Sequence, residues 1–304
     1  MKRRHGRARP RASESGALCE PPFGPADGTG AHADHPLRSL QAVIAQRTEP
    51  ARVGLARSAC GALLLALALA AAWPGGGHAA TKPGIDVSRF QGQIKWKQVG
   101  KTRVRFAFVQ ASRGSGTDCA VAPEHCGPDP YYERNYRLAR ANGIKVGPYH
   151  RAFTAGATPE EARENARVQA RVFSDAVGTL RPKDLRPVLD FEHPFGGMSA
   201  ELLRAWTRTW LRVVNRRFGV RPIIYTNHSS WQAIGDVRGF ARRGHPLWVA
   251  HWVSRRRDVL VPAANWDGRG WAVWQYTSQG SVRGIAGPVD RNRMRVAFRR
   301  LRVD

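Results

Sequence analysis

From residue 84 to the end the sequence repeats one rhythm: a short β-branched or aromatic run, a break, an amphipathic stretch, then another run. The runs are GIDVS (84–88), VRFAFVQAS (104–112), KVGPYH (145–150), RPVLDFE (186–192), PIIYTN (222–227), PLWVAH (246–251), WAVWQYT (271–277) and PVDRN (288–292). Gly, Pro or Asn bounds each one, as strands closed by turns require. Strands apolar on both faces and separated by helices belong to a parallel sheet with both faces covered. Eight of them within about 220 residues predict an α/β fold with a single domain, an irregular (β/α) TIM-like barrel. The irregularity is expected because some connections, notably 253–270, are too short for a full helix.

The helical stretches carry their own punctuation. Residues 130–142 place Tyr132, Tyr136 and Leu138 ahead of Gly143, a residue suited to the position just past a helix. Thr158-Pro159-Glu160-Glu161 is a capping box with proline at the first helical position, opening a helix that runs to about Gly178. Ser199 caps another, with Leu202, Leu203, Trp206, Trp210 and Val213 at helical spacing and Gly219 behind it. Those two tryptophans are read as packing residues.

The fourth run raises a chemical question, because PVLDFEH (187–193) ends in two carboxylates that are costly to bury unpaired. Side chains two apart on a strand share a face, so Asp190 and Glu192 point one way and Phe191 the other. If that face is the barrel interior, both acids converge at the C-terminal rim, where barrel sites form. Asp86 in the first run and Asp290 in the last occupy comparable positions, and first and last strands are neighbours in a closed barrel. Clustered carboxylates raise one another's pKa, so one can remain protonated while another ionises, as glycoside hydrolysis requires. For the Asp-x-Glu pair alone, a site and a simple cap or ion pair weigh equally. The four acids together favour a site. Tyr149, Tyr225, Trp252, Trp274 and Tyr276 fall at or near strand ends and could stack on sugars or serve as core. If Gln275 points inward, Trp274 and Tyr276 point away.

The first eighty residues read differently. Residues 1–56 are rich in Arg, Ala, Gly and Pro without periodicity, and are expected to be disordered or to reflect a mis-assigned start. Residues 57–80 combine a basic flank, an apolar run over 62–72 and small residues at 77–80, the order of an export signal too short for a comfortable membrane span. An exported protein without a stable membrane anchor is therefore expected. In that setting Cys119 and Cys126, closing a short loop, are expected to form a disulfide, with two free thiols as the alternative. Residues 81–304, the catalytic unit, hold 39 basic and 18 acidic side chains, a net charge of +21. Such a field gathers polyanions. Outside the cell that means anionic wall polymers rather than nucleic acid, although an arginine-rich coding bias explains part of the excess.

In order, GIDVSRFQGQIKW, NYRLARANGIKVGPYH, PVLDFEH, IIYTN, LWVAHW, AVWQY and GPVDRN resemble the family 25 glycoside hydrolases, the Chalaropsis-type lysozymes or N-acetylmuramidases. The resemblance spans about 84–292, and its specific parts are the opening Asp-x-Ser-x-x-Gln-Gly and the Asp-x-Glu. It implies an irregular β/α barrel that cleaves the β-1,4 bond between N-acetylmuramic acid and N-acetylglucosamine, with no cofactor and no metal. By the same resemblance Glu192 is the general acid, Asp190 stabilises or orients charge near the anomeric carbon, and Asp86 and Asp290 line the pocket. Tyr149, Tyr225, Trp252 and Gln275 are the expected substrate contacts. The partner is peptidoglycan glycan, and the enzyme is expected as a secreted, wall-associated monomer. Three departures stand out: Gln110-Ala-Ser-Arg113-Gly where relatives read Lys-Ala-(Thr/Ser)-Glu-Gly, residues 117–128 with the cysteine pair, which read as an insertion, and Tyr149-His150-Arg151 where relatives read Tyr-His-Phe. The rival readings are a chitinase-like glycosidase, a metal-dependent hydrolase and a non-catalytic, basic wall-binding protein on the same barrel.

Overall fold

The eight apolar runs do fold as strands, and they close on themselves. The computed structural model describes residues 80–115 and 126–304. The expected extension (1–56), the export signal up to residue 79 and Cys119 lie outside the described residues. The strands are β1 (Lys82–Val87), β2 (Phe106–Arg113), β3 (Gly127–Pro128), β4 (Lys145–Arg151), β5 (Val188–Asp190), β6 (Ile223–Asn227), β7 (Leu247–Ala250), β8 (Val273–Gly280) and β9 (Val289–Met294). Pairing runs β1-β9-β8-β7-β6-β5-β4-β2 and closes through β1–β2, while the two-residue β3 hangs on β2 outside the ring.

The ring is not parallel throughout, which corrects the expectation of a parallel sheet. β9 runs antiparallel to both β8 and β1. The reason is the short 281–288 connection: a parallel return needs a crossover of a dozen residues or more. The 253–270 connection likewise holds no full helix. It contains the segment Pro262–Asp267, whose residues 263–267 have φ between 49° and 56°. A left-handed turn of L-residues costs roughly 1–2 kcal/mol per residue. It is held by Ala263 N donating to Asp236 Oδ1 at 2.6 Å, by Trp266 Nε1 donating to the His245 carbonyl at 2.7 Å, and by burial of the Trp266 indole.

The helices form as their punctuation dictates. Thr158 and Glu161 make the reciprocal capping box of helix Pro159–Val177. Ser199 caps helix Ala200–Phe218, and Gly219 ends it in the left-handed conformation (φ 72°). Trp206 and Trp210 are fully buried between these helices and the outer face of the sheet, as packing residues. His150 points to that outer layer too. It is stacked on Trp210, bonded to Ser112 Oγ (2.8 Å) and Gln169 Oε1 (3.0 Å), and burial pushes its pKa down to about 4. It is a neutral structural histidine.

Inside the ring a second apolar layer fills the bottom: Phe106, Phe108, Val188, Ile223, Trp248, Val273 and Met294. Two glycines make room for it. A Cβ on Gly84 would meet the Phe106 ring at 2.3 Å, and one on Gly147 would meet Phe108 at 2.8 Å. Overpacking of this kind typically costs about 1–3 kcal/mol. The aromatic plug fixes how deep the mouth can be.

Candidate active site

Above that plug the inward side chains turn polar. Asp86 near the end of β1 lies directly opposite Asp290 at the start of β9. The reversal of β9 is what brings Asp290 to the mouth; in a parallel strand its second residue would sit at the bottom. Asp190 ends β5, and Glu192 follows two residues beyond the ladder. Phe191 between them turns outward onto Phe195 and Trp231, so the expected division of faces holds. The four carboxylates share one field: Glu192 acts on Asp86, Asp190 and Asp290, and Asp190 feels Asp86.

Burial is the main cause of the shifted acidity of Asp86, Asp190 and Asp290. It holds Asp86 well above the ordinary carboxylate range, with Asp290 and Glu192 adding to the rise, and Asn292 and Gln275 opposing it through hydrogen bonds. Asp190 is also held well above, by burial and then by Glu192, while Arg151 opposes the shift. Asp290 is pushed up to about 7 by burial, then by Glu192 and Asp190. A mouth whose carboxyls titrate so high can hold protons that water would remove.

Three of the four acids have side-chain partners from neighbouring strands. Asn292 Nδ2 donates to Asp86 Oδ2 at 2.6 Å, and Gln275 Nε2 reaches both Asp86 oxygens at 3.2 and 3.3 Å. Asn292 is fixed in turn by Trp248 Nε1 donating to its Oδ1 at 2.8 Å. Gln275 Oε1 accepts from Tyr225 Oη at 3.1 Å and from Trp252 Nε1 at 3.2 Å. On the opposite side Arg151 lies 3.8 Å from Asp190 Oδ1 and 3.4 Å from Glu192 Oε1. Its Nη atoms donate to the carbonyls of Ala152 (3.2 Å), Glu192 (2.9 Å) and His193 (2.5 Å). Asp190 Oδ1 is buried and accepts no hydrogen bond among the described residues.

The expected aromatics divide by depth. Tyr149 and Tyr225 are buried in the floor of the mouth beside Trp248, with Gln110 Nε2 donating to Tyr149 Oη at 3.4 Å. Trp252 stands at the rim, 62% exposed. Trp274 and Tyr276 face away, Trp274 donating to the His251 carbonyl and Tyr276 lying under Arg293, as an inward Gln275 demands. Three site residues escaped the sequence reading. Asn292 shares a face with Asp290 by the same two-residue spacing that linked Asp190 to Glu192, so the signal was present. Arg151 stood out only as a departure from Tyr-His-Phe. Phe90, 71% exposed beside the mouth, left no signal beyond its type.

An irregular β/α barrel with clustered carboxylates, amide donors and a rim aromatic at its mouth has the make-up of a glycoside hydrolase. Residues 85–285 match the model of "Glycosyl hydrolases family 25", and the chain belongs to that family. Lysozyme M1 of Streptomyces globisporus is 34% identical over 226 residues, covering 72% of this chain and 69% of its own. The protein YegX of Escherichia coli O6:H1 is 37% identical over 214 residues, covering 69% and 68%. Among solved structures, the lysozyme from Streptomyces coelicolor superposes with a TM-score of 0.61 at 32% identity, covering 73% of this chain and 96% of that one.

Proposed function

We infer that the protein is a peptidoglycan-degrading lysozyme, an N-acetylmuramidase that hydrolyses the β-1,4 bond between N-acetylmuramic acid and N-acetylglucosamine. The observation that carries this reading is the pairing of Glu192 with Asp190 at the end of β5, inside a mouth that also holds Asp86 and Asp290. In the proposed reaction Glu192 delivers a proton to the glycosidic oxygen as the bond breaks, and a water molecule supplies the hydroxyl that ends on the anomeric carbon and the proton that restores the acid. Asp190, in its ionised form, accepts from the acetamido N–H of the sugar whose anomeric carbon turns positive, and its charge stabilises that centre. Asp86 and Asp290 complete the field. Tyr149, Tyr225 and Gln275 form the pocket floor, and the exposed Trp252 indole supplies a stacking face for a neighbouring sugar.

The remaining assignments belong to the same proposal. Residues 57–80 export the chain, and residues 81–304 act as one monomeric catalytic unit outside the cell. Cys119 and Cys126 pair to close the loop between them. Anionic wall polymers hold the enzyme on its substrate. Support for that last point lies on helix Ala200–Phe218, where Arg208, Arg212 and Arg216 line a cavity of about 550 Å³ with Arg163 and Arg167 of the neighbouring helix. Arg163 and Arg167 are paired with Glu160 and Glu164, whereas Arg208, Arg212 and Arg216 form no ion pair among the described residues.

Digestion of purified walls tests the reading. Mass spectrometry should find fragments with muramic acid at the reducing end, and Glu192→Gln should lose about 10²–10⁴-fold in turnover while still binding walls. Reducing-end glucosamine would point to a chitinase-like or glucosaminidase cut, and unchanged clearing by the variant would leave a non-catalytic or metal-dependent reading.

A further inference from the structure

β2 carries an irregularity that changes which residues face the mouth. Its pairing with β4 runs in register from Phe106 to Gln110 opposite Tyr149, then skips a residue, so that Ser112 stands opposite His150 and Arg113 opposite Arg151. Regular alternation from the inward Gln110 would send Ser112 in and Arg113 out. The bulge reverses this: Ser112 joins His150 in the outer layer, and Arg113 turns towards the mouth beside Arg151. Bulges next to active sites commonly re-aim a side chain in this way.

The two guanidinium groups share a platform. Arg113 lies 5.1 Å from the centre of the Phe153 ring, Arg151 lies 5.2 Å from it, and Arg113 is also 5.8 Å from the exposed Phe90 ring. Arg89 adds a third like charge nearby, and together with burial these neighbours push the acidity of Arg113 up. Two of the three cations are committed. Arg151 is engaged with Asp190, Glu192 and three carbonyls. Arg89 is engaged with Asp129 (3.8 Å) and the Pro128 carbonyl (3.3 Å). Arg113 forms no hydrogen bond or ion pair through its side chain among the described residues, and its Nε is buried without an acceptor.

A half-buried guanidinium set beside like charges, flanked by rings and lacking an acceptor, is ready for an anion. Its planar fork matches a carboxylate through two parallel hydrogen bonds. We propose that Arg113, on the Phe90–Phe153 platform at the mouth, is a specificity residue that binds a carboxylate carried by the substrate. The proposal rests on the muramidase reading. Peptidoglycan offers that carboxylate from two sources: the lactyl group of muramic acid once its peptide has been removed, and the free carboxyls of an attached stem peptide. If the lactyl group is the ligand, an amide-bond hydrolysis that strips the peptide must supply the preferred substrate. Phe90 would then pack against the sugar that carries the charge.

Four substrates of equal glycan length separate these possibilities: peptide-free glycan, the same glycan with its carboxyls converted to methylamides, peptide-bearing glycan, and peptide-bearing glycan with all peptide carboxyls converted likewise. The wild-type enzyme should cleave a carboxylate-bearing substrate with kcat/KM about ten- to a hundredfold above its blocked counterpart, the size expected for a hydrogen bond to a charged group. The peptide-free pair shows this preference if the lactyl group is bound, the peptide-bearing pair if the stem carboxyls are. Arg113→Gln should bring the ratio close to one, mainly through KM, and Arg113→Glu should invert it. Inversion by a variant that still cleaves also shows that the fold is intact. Equal cleavage of both pairs by the wild type, or a preference that survives Arg113→Gln, would overturn the subsite while leaving the muramidase reading standing. Release of no reducing-end muramic acid from any of the four would overturn that reading, and the subsite with it.

Discussion

The two sides of the barrel mouth hold their carboxylates by opposite means. On the β1, β8 and β9 side, Asp86 is bonded by the amides of Asn292 and Gln275, themselves tied to Trp248, Tyr225 and Trp252. On the β4 and β5 side, Asp190 and Glu192 face the guanidinium of Arg151. Amides supply donors without supplying charge, so burial still wins and Asp86 stays well above the ordinary range. A guanidinium supplies charge as well and opposes the rise at Asp190, although burial and Glu192 still hold that acid well above the ordinary range. One side is a rigid neutral scaffold. The other is an ion cluster in which the buried Asp190 Oδ1 accepts no hydrogen bond among the described residues.

If that contrast reflects a division of labour, equivalent substitutions should have unequal effects. Asp190→Asn removes the charge that faces the reacting sugar, and kcat should fall about 10²–10³-fold with little change in KM, the size seen when one electrostatic stabiliser of a transition state is lost. Asp86→Asn keeps the shape and leaves the amide network able to re-pair by turning Gln275, so a loss nearer tenfold is expected. Steady-state kinetics on soluble glycan would rank the two. An Asp86→Asn defect equal to or larger than that of Asp190→Asn would erase the distinction between the sides.

Arg151 permits a second, smaller test, because it both positions and charges its side of the mouth. Replacing it by phenylalanine, the residue of the family pattern, removes a counter-ion from two partly buried acids, two carbonyl bonds from the 192–193 segment and one from Ala152. Removing one partner of a buried ion pair costs about 3–5 kcal/mol. The rim position, and a new ring beside Phe153, should hold the loss to the lower end of that range in a denaturation experiment. The pH profile carries the more specific sign. Arg151 pulls the Asp190 pKa down, so without it Asp190 ionises only at higher pH, and the acidic limb of kcat/KM should move upward. A limb that stays in place would mean that Arg151 acts only as a structural clamp.

How much of this was legible beforehand follows from the physics of each element. The eight strands and the two long capped helices could be read because burial and capping leave local patterns: apolar runs, Thr158 with Glu161, Ser199 with Gly219. The four acids could be read because two-residue alternation carries a side chain's face along a strand. The direction of β9 could not be read from alternation, since a strand looks the same in either sense, and the parallel sheet expected for it was wrong; the signal lay in the short 281–288 connection. Nor could the bulge in β2, which comes from pairing with β4 rather than from any residue type, and which sets the facing of Arg113. Tyr149 and Tyr225 were correctly put at strand ends, but their depth depends on Trp248 beneath them, a packing fact spread across three strands.

The smallest expected effect concerns Asp290, the one acid that enters the mouth from the start of a strand. Its folded pKa, pushed up to about 7 by burial first and then by Glu192 and Asp190, lies above the ordinary value of 3.8. Between those values the folded state keeps a proton that the unfolded chain has released. Stability from this group is therefore full at or below the unfolded value and is lost as pH rises through the folded one, after which the deficit is constant. Asp86 and Asp190 are raised as well and carry the same sign, so the wild-type Tm should be lower at roughly pH 8 than at roughly pH 5. Asp290→Asn removes one of the three contributions. Its Tm should drop less over that interval, by a few degrees, as about 1 kcal/mol is worth in a domain of this size. Equal drops in the two proteins would mean that Asp290 is solvated at the mouth rather than sharing the buried field, and that the antiparallel β9 brings an amide scaffold to the site without bringing a fourth acid.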